Sequence, residues 1–220
     1  MARVTPLHRD DPDKEPLAGN VRVTKQDWLN VALDTLITDG IEQVKVLALA
    51  DRMSVSRSSF YWYFKSRQDL LDALLDHWLA TNTKAIITAA EKDARTVTEA
   101  VCNIFIGFVD PNQFSTTLDF AIRDWARRSG KVRRVIDTSD AQRLAAITQV
   151  FERFGYPSDE SLIRAKVLYY MQIGYNDADL QEPMDARQSQ VGHYIHAFTG
   201  QHASEAELTA FRAAIGAFAP

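Results

Sequence analysis

A single cysteine, Cys102, and the absence of any long apolar run are the first features of this 220-residue sequence. One cysteine cannot form a disulfide within the chain, which suits a reducing compartment. A membrane-spanning helix needs about 20 predominantly apolar residues, and the N-terminus lacks the basic and then apolar pattern of a secretory signal. We therefore expect a soluble, cytoplasmic protein with no membrane partner.

Glycine and proline are also scarce, with nine and seven residues, and they act mainly as breaks between periodic segments. No useful stretch alternates apolar and polar residues as a strand does, whereas apolar residues recur at helical spacing throughout. The hydrophobic share of 46% is enough for a sizeable core. The pattern predicts an all-α protein.

Motifs that would carry catalysis are absent as well. The sequence has no Ser-His-Asp set, glycine-rich phosphate loop or paired-carboxylate constellation. His193 and His196 are three residues apart, as two metal ligands on a helix can be, and His202 follows, but no cysteine or carboxylate cluster joins them. We expect a surface or interface histidine pair, no metal site, no cofactor and no enzyme.

The helical pattern divides the chain into three parts. Residues 1–20 contain three prolines and mixed charges without periodicity, which predicts a disordered arm. Residues 21–68 contain short helices, and residues 69–220 contain mostly longer ones. The predicted helices lie at about 24–40, 44–52, 56–64, 66–78, 81–92, 97–109, 114–129, 132–154, 159–178, 185–199 and a final segment capped by Ser204 and Glu207.

The net charge of −4 conceals a basic segment. Between Gln43 and Gln68 five lysines and arginines accompany a single aspartate, so this segment carries a charge of +4. Because binding to phosphates depends on the charge at the contact surface, the local value outweighs the global one. It favours a nucleic-acid partner.

The segment SVSRSSFYWYFKSR, residues 54–67, follows a short helix and a tight turn, as the second helix of a helix-turn-helix does. That helix enters the DNA major groove with its N-terminus first, where arginine can pair with guanine and serine can donate or accept. We therefore expect base contacts from Arg57, Ser58 and Ser59. The side chains expected to contact phosphates are Thr24, Lys45, Tyr61, Trp62, Tyr63, Lys65 and Arg67.

The five consecutive aromatic residues of this segment separate by helical face. Phe60 and Phe64 share one side, which we expect to face the core. Tyr61 and Trp62 point outward, and Tyr63 borders the core. An ordinary amphipathic core helix is the alternative interpretation, and it would also bury Phe60 and Phe64.

From about Thr24 to Trp78 the chain resembles the DNA-binding domain of the TetR family of bacterial transcriptional regulators. The family pattern has a glycine, a threonine, an Ile-Ala pair, Ala-Gly-Val-Ser, then Leu-Tyr-x-His-Phe and a lysine, and the spacing matches throughout. The corresponding residues here are Gly40, Lys45, Leu49-Ala50, Met53-Ser54-Val55-Ser56, Phe60-Tyr61-Trp62-Tyr63-Phe64 and Arg67. Lys45, Ser54 and Tyr63 depart from the pattern and replace threonine, glycine and histidine.

This resemblance implies an N-terminal three-helix helix-turn-helix domain and a larger helical domain for effector binding and dimerisation. It implies a repressor that binds a palindromic double-stranded DNA operator as a homodimer and is released by a small-molecule effector. Family members pair through the last two long helices of the core, here about 159–178 and 185–199. The interface candidates on these helices are Tyr170, Ile173, Val191 and Ile195.

Apolar and aromatic residues at helical spacing in the larger domain are compatible with an effector cavity, although most such stripes are plain core. The residues expected to line the cavity are Asn103, Phe105, Phe108, Trp125, Tyr169, Gln172 and Tyr175. The basic stretch at 123–134 is interpreted as a solvated surface.

Two other functions stay open on the sequence alone. The first is a helix-turn-helix dimer regulated by a partner protein, which a densely packed C-terminal core would favour. The second is an all-α enzyme, which a buried carboxylate or histidine with a strongly shifted pKa in a cleft would favour.

Overall fold

The computed structural model describes residues 23–178, 180 and 182–218, so the arm predicted at residues 1–20 lies outside the described part. All regular structure in the described residues is helical, which confirms the all-α prediction. The α-helices are α1 (Lys25–Asp39), α2 (Val46–Arg52), α3 (Arg67–Trp78), α4 (Lys84–Glu91), α5 (Val97–Val109), α6 (Thr116–Arg128), α7 (Gly130–Arg153), α8 (Ser158–Asp177), α9 (Met184–Thr199) and α10 (Glu205–Gly216). Shorter helical segments are a 3₁₀ turn at Ile41–Gln43, a 3₁₀-helix at Arg57–Trp62 and a π-turn at Leu79–Thr83.

The chain separates into two compact units, one ending at Asp76 and the other beginning at His77. The sequence-based boundary after residue 68 falls at the start of α3, whereas the N-terminal unit also includes most of that helix. None of the described helices combines the length and the apolar character needed to cross a membrane.

Buried aromatic side chains form the interior of the N-terminal unit. Trp28 of α1 and Phe60 are fully buried, and their rings meet edge to face with 5.2 Å between centroids. Phe64 is also buried and stacks on Phe60 at 5.3 Å. Helix α3 adds Leu70 and Leu74, both fully buried. The prediction that Phe60 and Phe64 face the core is confirmed.

Helix α1 begins with the capping interaction expected of Thr24. The Thr24 hydroxyl accepts from the N–H of Asp27 at 3.2 Å, and the Asp27 carboxylate accepts from the N–H of Thr24 at 2.8 Å. These bonds satisfy donors that a helix start leaves unpaired. The Thr24 hydroxyl also donates to the Asp27 carboxylate at 2.7 Å, and this bond, together with the one from the Thr24 N–H, lowers the pKa of Asp27. The helix ends before Gly40, whose φ of +80° is easily adopted only by glycine.

The turn after α2 contains Ser54 with a φ of +55°. A residue with a side chain pays about 1–2 kcal/mol in this left-handed region, which explains why glycine is usual here in the resembled pattern. The backbone N–H of Ser54 donates to the carbonyl of Asp51 at 3.0 Å, and that of Val55 donates to the carbonyl of Ala50 at 3.0 Å. These two bonds hold the turn in spite of the strain.

The segment expected to form an α-helix at 56–64 is a shorter 3₁₀-helix at Arg57–Trp62. Its start is rich in serine, and serine side chains that bond to nearby backbone compete with the α-helical pattern. Ser56 accepts from the N–H of Ser58 at 3.3 Å, and the hydroxyl of Ser59 donates to the carbonyl of Ser56 at 2.8 Å.

Helix α5 is the most buried helix of the C-terminal unit and packs against α4, α9 and α10. Helix α7 packs against α4, α6 and α8, and the apolar residues of these helices form one continuous core. Gly107 permits the close approach of α5 to α4, because a Cβ at this position would lie 2.6 Å from the Cβ of Ala89.

The break expected between residues 78 and 81 is absent, since the π-turn at Leu79–Thr83 joins α3 to α4. Asn82 in this turn is fully buried. Its side-chain amide donates to the carbonyl of Ser115 at 2.8 Å and accepts from the N–H of Ser115 at 3.2 Å. The π-turn therefore holds the residue that caps α6.

Candidate nucleic-acid interface and effector cavity

The outward side of the Arg57–Trp62 helix carries large side chains directed to solvent. Arg57 is exposed at its first position, and no described residue bonds to its guanidinium group. Tyr61 is 56% exposed and Trp62 is 80% exposed, although aromatic side chains are mostly buried in folded proteins. A free guanidinium group beside exposed aromatic rings suits contact with bases, sugars and phosphates.

Ser58 and Ser59, the other two predicted base contacts, already have partners within the protein. The hydroxyl of Ser58 lies 2.8 Å from that of Ser56, and Ser59 donates to the carbonyl of Ser56. Ser58 is exposed and Ser59 is half-buried. Arg57 is therefore the member of the predicted base-reading set whose side-chain donors are all available.

The predicted phosphate contacts differ in how available their side chains are. Lys45 and Lys65 are exposed, and Lys45 precedes α2 without making a side-chain cap. The hydroxyl of Thr24 is engaged in the capping box of α1. The hydroxyl of Tyr63 donates to the backbone carbonyl of Val23 at 2.7 Å. The side-chain donors of Lys45 and Lys65, like those of the exposed Tyr61 and Trp62, are thus free to meet a phosphate, and all these contacts stay predictions.

Arg67 has an internal role that the sequence did not indicate. Its Nε donates to the carbonyl of Val44 at 2.5 Å, and one terminal nitrogen donates to the carbonyl of Ile41 at 2.9 Å. These bonds fasten the start of α3 to the turn that precedes α2. No local pattern predicts them, because the partners are more than 20 residues apart in sequence.

The C-terminal unit contains a cavity of about 520 Å³, partly open to solvent, between the ends of α5, α6, α8, α9 and α10. Small-molecule sites usually measure about 300–1,000 Å³ and are lined mainly by apolar and aromatic side chains. The aromatic residues of this lining are Phe105, Phe108, Phe114, Tyr175, Tyr194, Phe211 and Phe218. The size and the lining match a site for a small organic molecule.

Four of the seven residues predicted for the effector pocket line this cavity: Phe105, Phe108, Gln172 and Tyr175. The other three are buried away from its lining: Asn103, Trp125 and Tyr169. Helical periodicity identifies buried faces, but it cannot distinguish a face that meets a void from one that meets a neighbouring helix.

Asp119 of α6 is the centre of a buried ionic cluster in the same unit. It accepts from Nε1 of Trp78 at 2.8 Å, from Nε of Arg123 at 2.8 Å and from both terminal nitrogens of Arg143 at 3.2 Å. Arg143 is fully buried and donates also to the hydroxyl of Thr83 at 3.0 Å. The cluster joins α6 and α7 to the end of α3 and the π-turn.

Tyr169 belongs to this cluster, which explains its absence from the cavity lining. Its hydroxyl donates to Asp140 at 2.6 Å and accepts from Arg123 at 3.1 Å. The Tyr169 ring lies 6.4 Å from that of Phe108, and the Arg143 guanidinium group lies 5.8 Å from the ring of Phe114. Two aromatic residues of the cavity wall therefore contact the cluster on their far side.

The charges of the cluster are balanced, with Asp119 and Asp140 opposite Arg123 and Arg143. Burial by itself would raise the pKa of Asp119, but the two guanidinium groups and its hydrogen bonds outweigh burial and lower it. Burial raises the pKa of Tyr169, so its hydroxyl stays protonated and donates. The Asp119–Arg123 spacing of four residues is the one sequence signal that could have revealed part of the cluster.

Two of the residues predicted for the dimer interface are in the interior of the single chain. Val191 is buried and lines the cavity, and Ile195 is fully buried in the core, so neither offers exposed surface to a second chain, and the interface residues stay a prediction. Ile173 is half-buried against the core, whereas Tyr170 is exposed. The side of α9 that faces solvent in the single chain carries mainly polar residues.

Helix α8 carries an apolar face open to solvent. Its members are separated by one, four and three residues and thus form one stripe along the helix: Leu162, Ile163, Val167 and Tyr170. Ile163 and Val167 also line a shallow groove with Ala197 of α9. Contiguous apolar surface of this kind is typical of protein interaction sites.

His196 and His202 stack with 3.9 Å between ring centroids. Among the described residues, no group of three or more His, Cys, Asp or Glu side chains is arranged to hold a metal ion.

Residues 29–74 match the family of bacterial regulatory proteins described as the tetR family. The tetracycline repressor protein class A from transposon 1721 of Escherichia coli is 32% identical over 117 residues, which cover 52% of this chain and 50% of that protein. An HTH-type transcriptional regulator of Saccharopolyspora erythraea is 33% identical over 54 residues, or 24% of this chain and 23% of the relative. The chain thus spans about half the length, or less, of these curated relatives.

The fold is similar to the crystal structure of Mycobacterium smegmatis AmtR, with a TM-score of 0.60 and 15% identity. The likeness covers 90% of this chain and 95% of that one, so it extends well beyond the segment that matches the family. At this identity the likeness establishes the fold alone.

Proposed function

We propose that this chain, which belongs to the TetR family of bacterial regulatory proteins, is a ligand-responsive transcriptional repressor of the cytoplasm. The N-terminal unit would bind a palindromic operator, the C-terminal unit would pair two chains, and the cavity would hold a small effector. The observation that carries the proposal is Arg57, exposed and free of internal partners at the start of the helix that corresponds to a reading helix.

Replacing Arg57 with alanine is expected to weaken operator binding by about 1–3 kcal/mol and to relax the preference at one base pair, because arginine pairs bidentately with guanine. Lys65→Ala is the matched comparison, since Lys65 is an exposed cation of the same segment that we assign to the phosphate backbone. Lys65→Ala should weaken binding to cognate and to scrambled DNA to a similar degree.

The measurement is fluorescence anisotropy at fixed salt, with an operator first selected from random duplexes by the wild-type chain. The assignment of Arg57 to base reading is rejected if Arg57→Ala reduces the affinity for cognate and scrambled duplexes equally. A chain that selects no sequence at all would reject the repressor proposal itself.

The pairing of two chains is supported by the apolar stripe on α8. A charge placed in the middle of such a face would have to be buried without a partner when two copies meet. We expect Val167→Glu, at a position 51% exposed in the single chain, to convert a dimer into a folded monomer and to abolish tight operator binding.

Sedimentation velocity checks this result, and circular dichroism verifies that the helices are retained. Gln149→Glu adds the same charge at an exposed position of α7 and should leave the dimer intact. If Val167→Glu still forms dimers, the two chains pair through a surface other than the apolar stripe on α8.

Regulation by a small molecule is supported by the cavity, whereas a densely packed core would have favoured a partner protein. An effector lowers operator affinity only if it binds more tightly to the conformation that does not bind DNA. The loss of operator affinity cannot exceed this difference in effector affinity between the two conformations. The enzyme alternative has little support in the described residues. Asp119, their most deeply buried carboxylate with a shifted pKa, is neutralised by two arginines.

A further inference from the structure

Gln172 places an unpaired hydrogen-bond acceptor at the cavity. The residue is 4% exposed, and its side chain lines the cavity on α8. Its Nε2 donates to Oδ1 of Asn176 at 3.0 Å, which fixes the amide with Oε1 on the other side. No donor among the described residues reaches this Oε1. A ligand that fills the cavity displaces solvent from this oxygen, so it must supply a donor in place of water or leave the acceptor unpaired at a cost in free energy.

The surroundings of Gln172 are apolar and rich in rings. Phe108 and Phe114 of the lining meet edge to face at 5.3 Å between centroids, and the lining also contains Phe105, Tyr194 and Phe211. Aromatic walls of this kind favour a flat ring system, which can stack on one wall while its edges contact another.

The charged groups of the cavity lining lie close to one tyrosine. Among the described lining residues the charged ones are Glu182 and Arg187, of opposite sign. Both contact Tyr175: its hydroxyl donates to Glu182 at 2.7 Å, and the Arg187 guanidinium group lies 5.1 Å from its ring centroid. Because these two charges are opposite and lie beside the same tyrosine, the rest of the described lining offers no counter-charge, and an ionised ligand group there would be desolvated without compensation.

We propose that the cavity binds an uncharged, polycyclic aromatic or similarly flat ring compound whose single hydroxyl or N–H group donates to Oε1 of Gln172. This inference rests on the proposed effector role of the cavity and specifies the class of effector. The ligand's rings fill the space between α5, α6 and α10, and its donor is directed to α8.

A matched series of four pyrenes tests the inference on the full chain in the absence of DNA. The probes are 1-hydroxypyrene, 1-methoxypyrene, 1-pyrenecarboxylate and 1-pyrenemethylammonium, with binding followed by probe fluorescence near neutral pH. We expect 1-hydroxypyrene to bind about three- to tenfold more tightly than 1-methoxypyrene, as one net hydrogen bond allows. Both ionised probes should bind at least about tenfold more weakly than 1-hydroxypyrene.

Gln172→Leu should remove the preference for 1-hydroxypyrene over 1-methoxypyrene while preserving binding of 1-methoxypyrene, so loss of folding is distinguished from loss of the acceptor. Gln149→Leu makes the same change at an exposed site on α7 and should keep the preference. The inference is overturned if an ionised probe binds as tightly as 1-hydroxypyrene. It is also overturned if the preference survives in Gln172→Leu, or if no probe binds.

A separate titration with operator DNA distinguishes this inference from the proposed function. Operator binding without any probe binding would leave the repressor proposal standing and reject the ligand class. Probe binding that follows Gln172 but leaves operator affinity unchanged would support the ligand class and count against the effector role.

Discussion

Asp119→Ala is expected to lower the free energy of unfolding by about 3–5 kcal/mol, because removing one partner of a buried ion pair leaves the other charge uncompensated. The charge left behind is Arg143, which is fully buried. Nε1 of Trp78 loses its acceptor at the same time. Arg123 is less affected, because it keeps two bonds to Asp140 at 2.8 and 3.1 Å.

The measurement is urea-induced unfolding followed by circular dichroism, at equal chain concentration for all variants because any association between chains makes stability depend on concentration. Asp124→Ala is the matched control on the same helix. Asp124 pairs with Arg128 at 3.8 Å across a surface where both side chains are more than half exposed, so its loss should cost at most about 1 kcal/mol. Equal losses for the two variants would show that the buried cluster contributes no more than a surface pair.

The local features of the fold could be read from the sequence because their causes are local. Thr24 and Asp27 satisfy each other within one helical turn, and Ser204 and Glu207 do the same at α10. The positions of Phe60 and Phe64 follow from helical spacing of four, which remains valid because the N–H of Phe64 donates to the carbonyl of Phe60 at 3.0 Å. Caps and faces need no knowledge of distant residues.

The remaining features depend on partners far apart in the chain. Arg123 was assigned to a solvated basic stretch, yet it bonds Asp140 and Tyr169, 17 and 46 residues away. Val191 and Ile195 were assigned to a surface because family helices pair there, but the rotation of α9 about its axis is set by its packing on α5. A cavity forms where neighbouring helices leave space between them, and the sequence pattern of a single helix does not show where this occurs.

Phe60→Ala is the second variant expected to have a large effect. It should lower the free energy of unfolding of the N-terminal unit by about 3–5 kcal/mol. Phe60 is fully buried, and its ring contacts those of Trp28, Tyr61 and Phe64 within 5.3 Å between centroids. The cavity left by a phenyl ring would open the interior between α1 and the Arg57–Trp62 helix. Operator binding should be lost with it.

Hydrogen exchange followed by mass spectrometry is the suitable measurement, because peptides from α1 report on the N-terminal unit and peptides from α5 on the C-terminal one. Exchange should rise in α1 and stay unchanged in α5. The control is Trp62→Ala, two positions away in the same aromatic row but 80% exposed, where we expect a stability change within about 0.5 kcal/mol.

The two variants together separate the structural from the functional part of the aromatic row. Trp62→Ala should weaken operator binding without raising exchange in α1, since its ring is free to contact the DNA backbone, whereas Phe60→Ala should change both. If Trp62→Ala binds the operator as tightly as the wild type, the Trp62 ring has no part in DNA binding. The recognition of DNA would then depend on Arg57, Tyr61 and the neighbouring lysines.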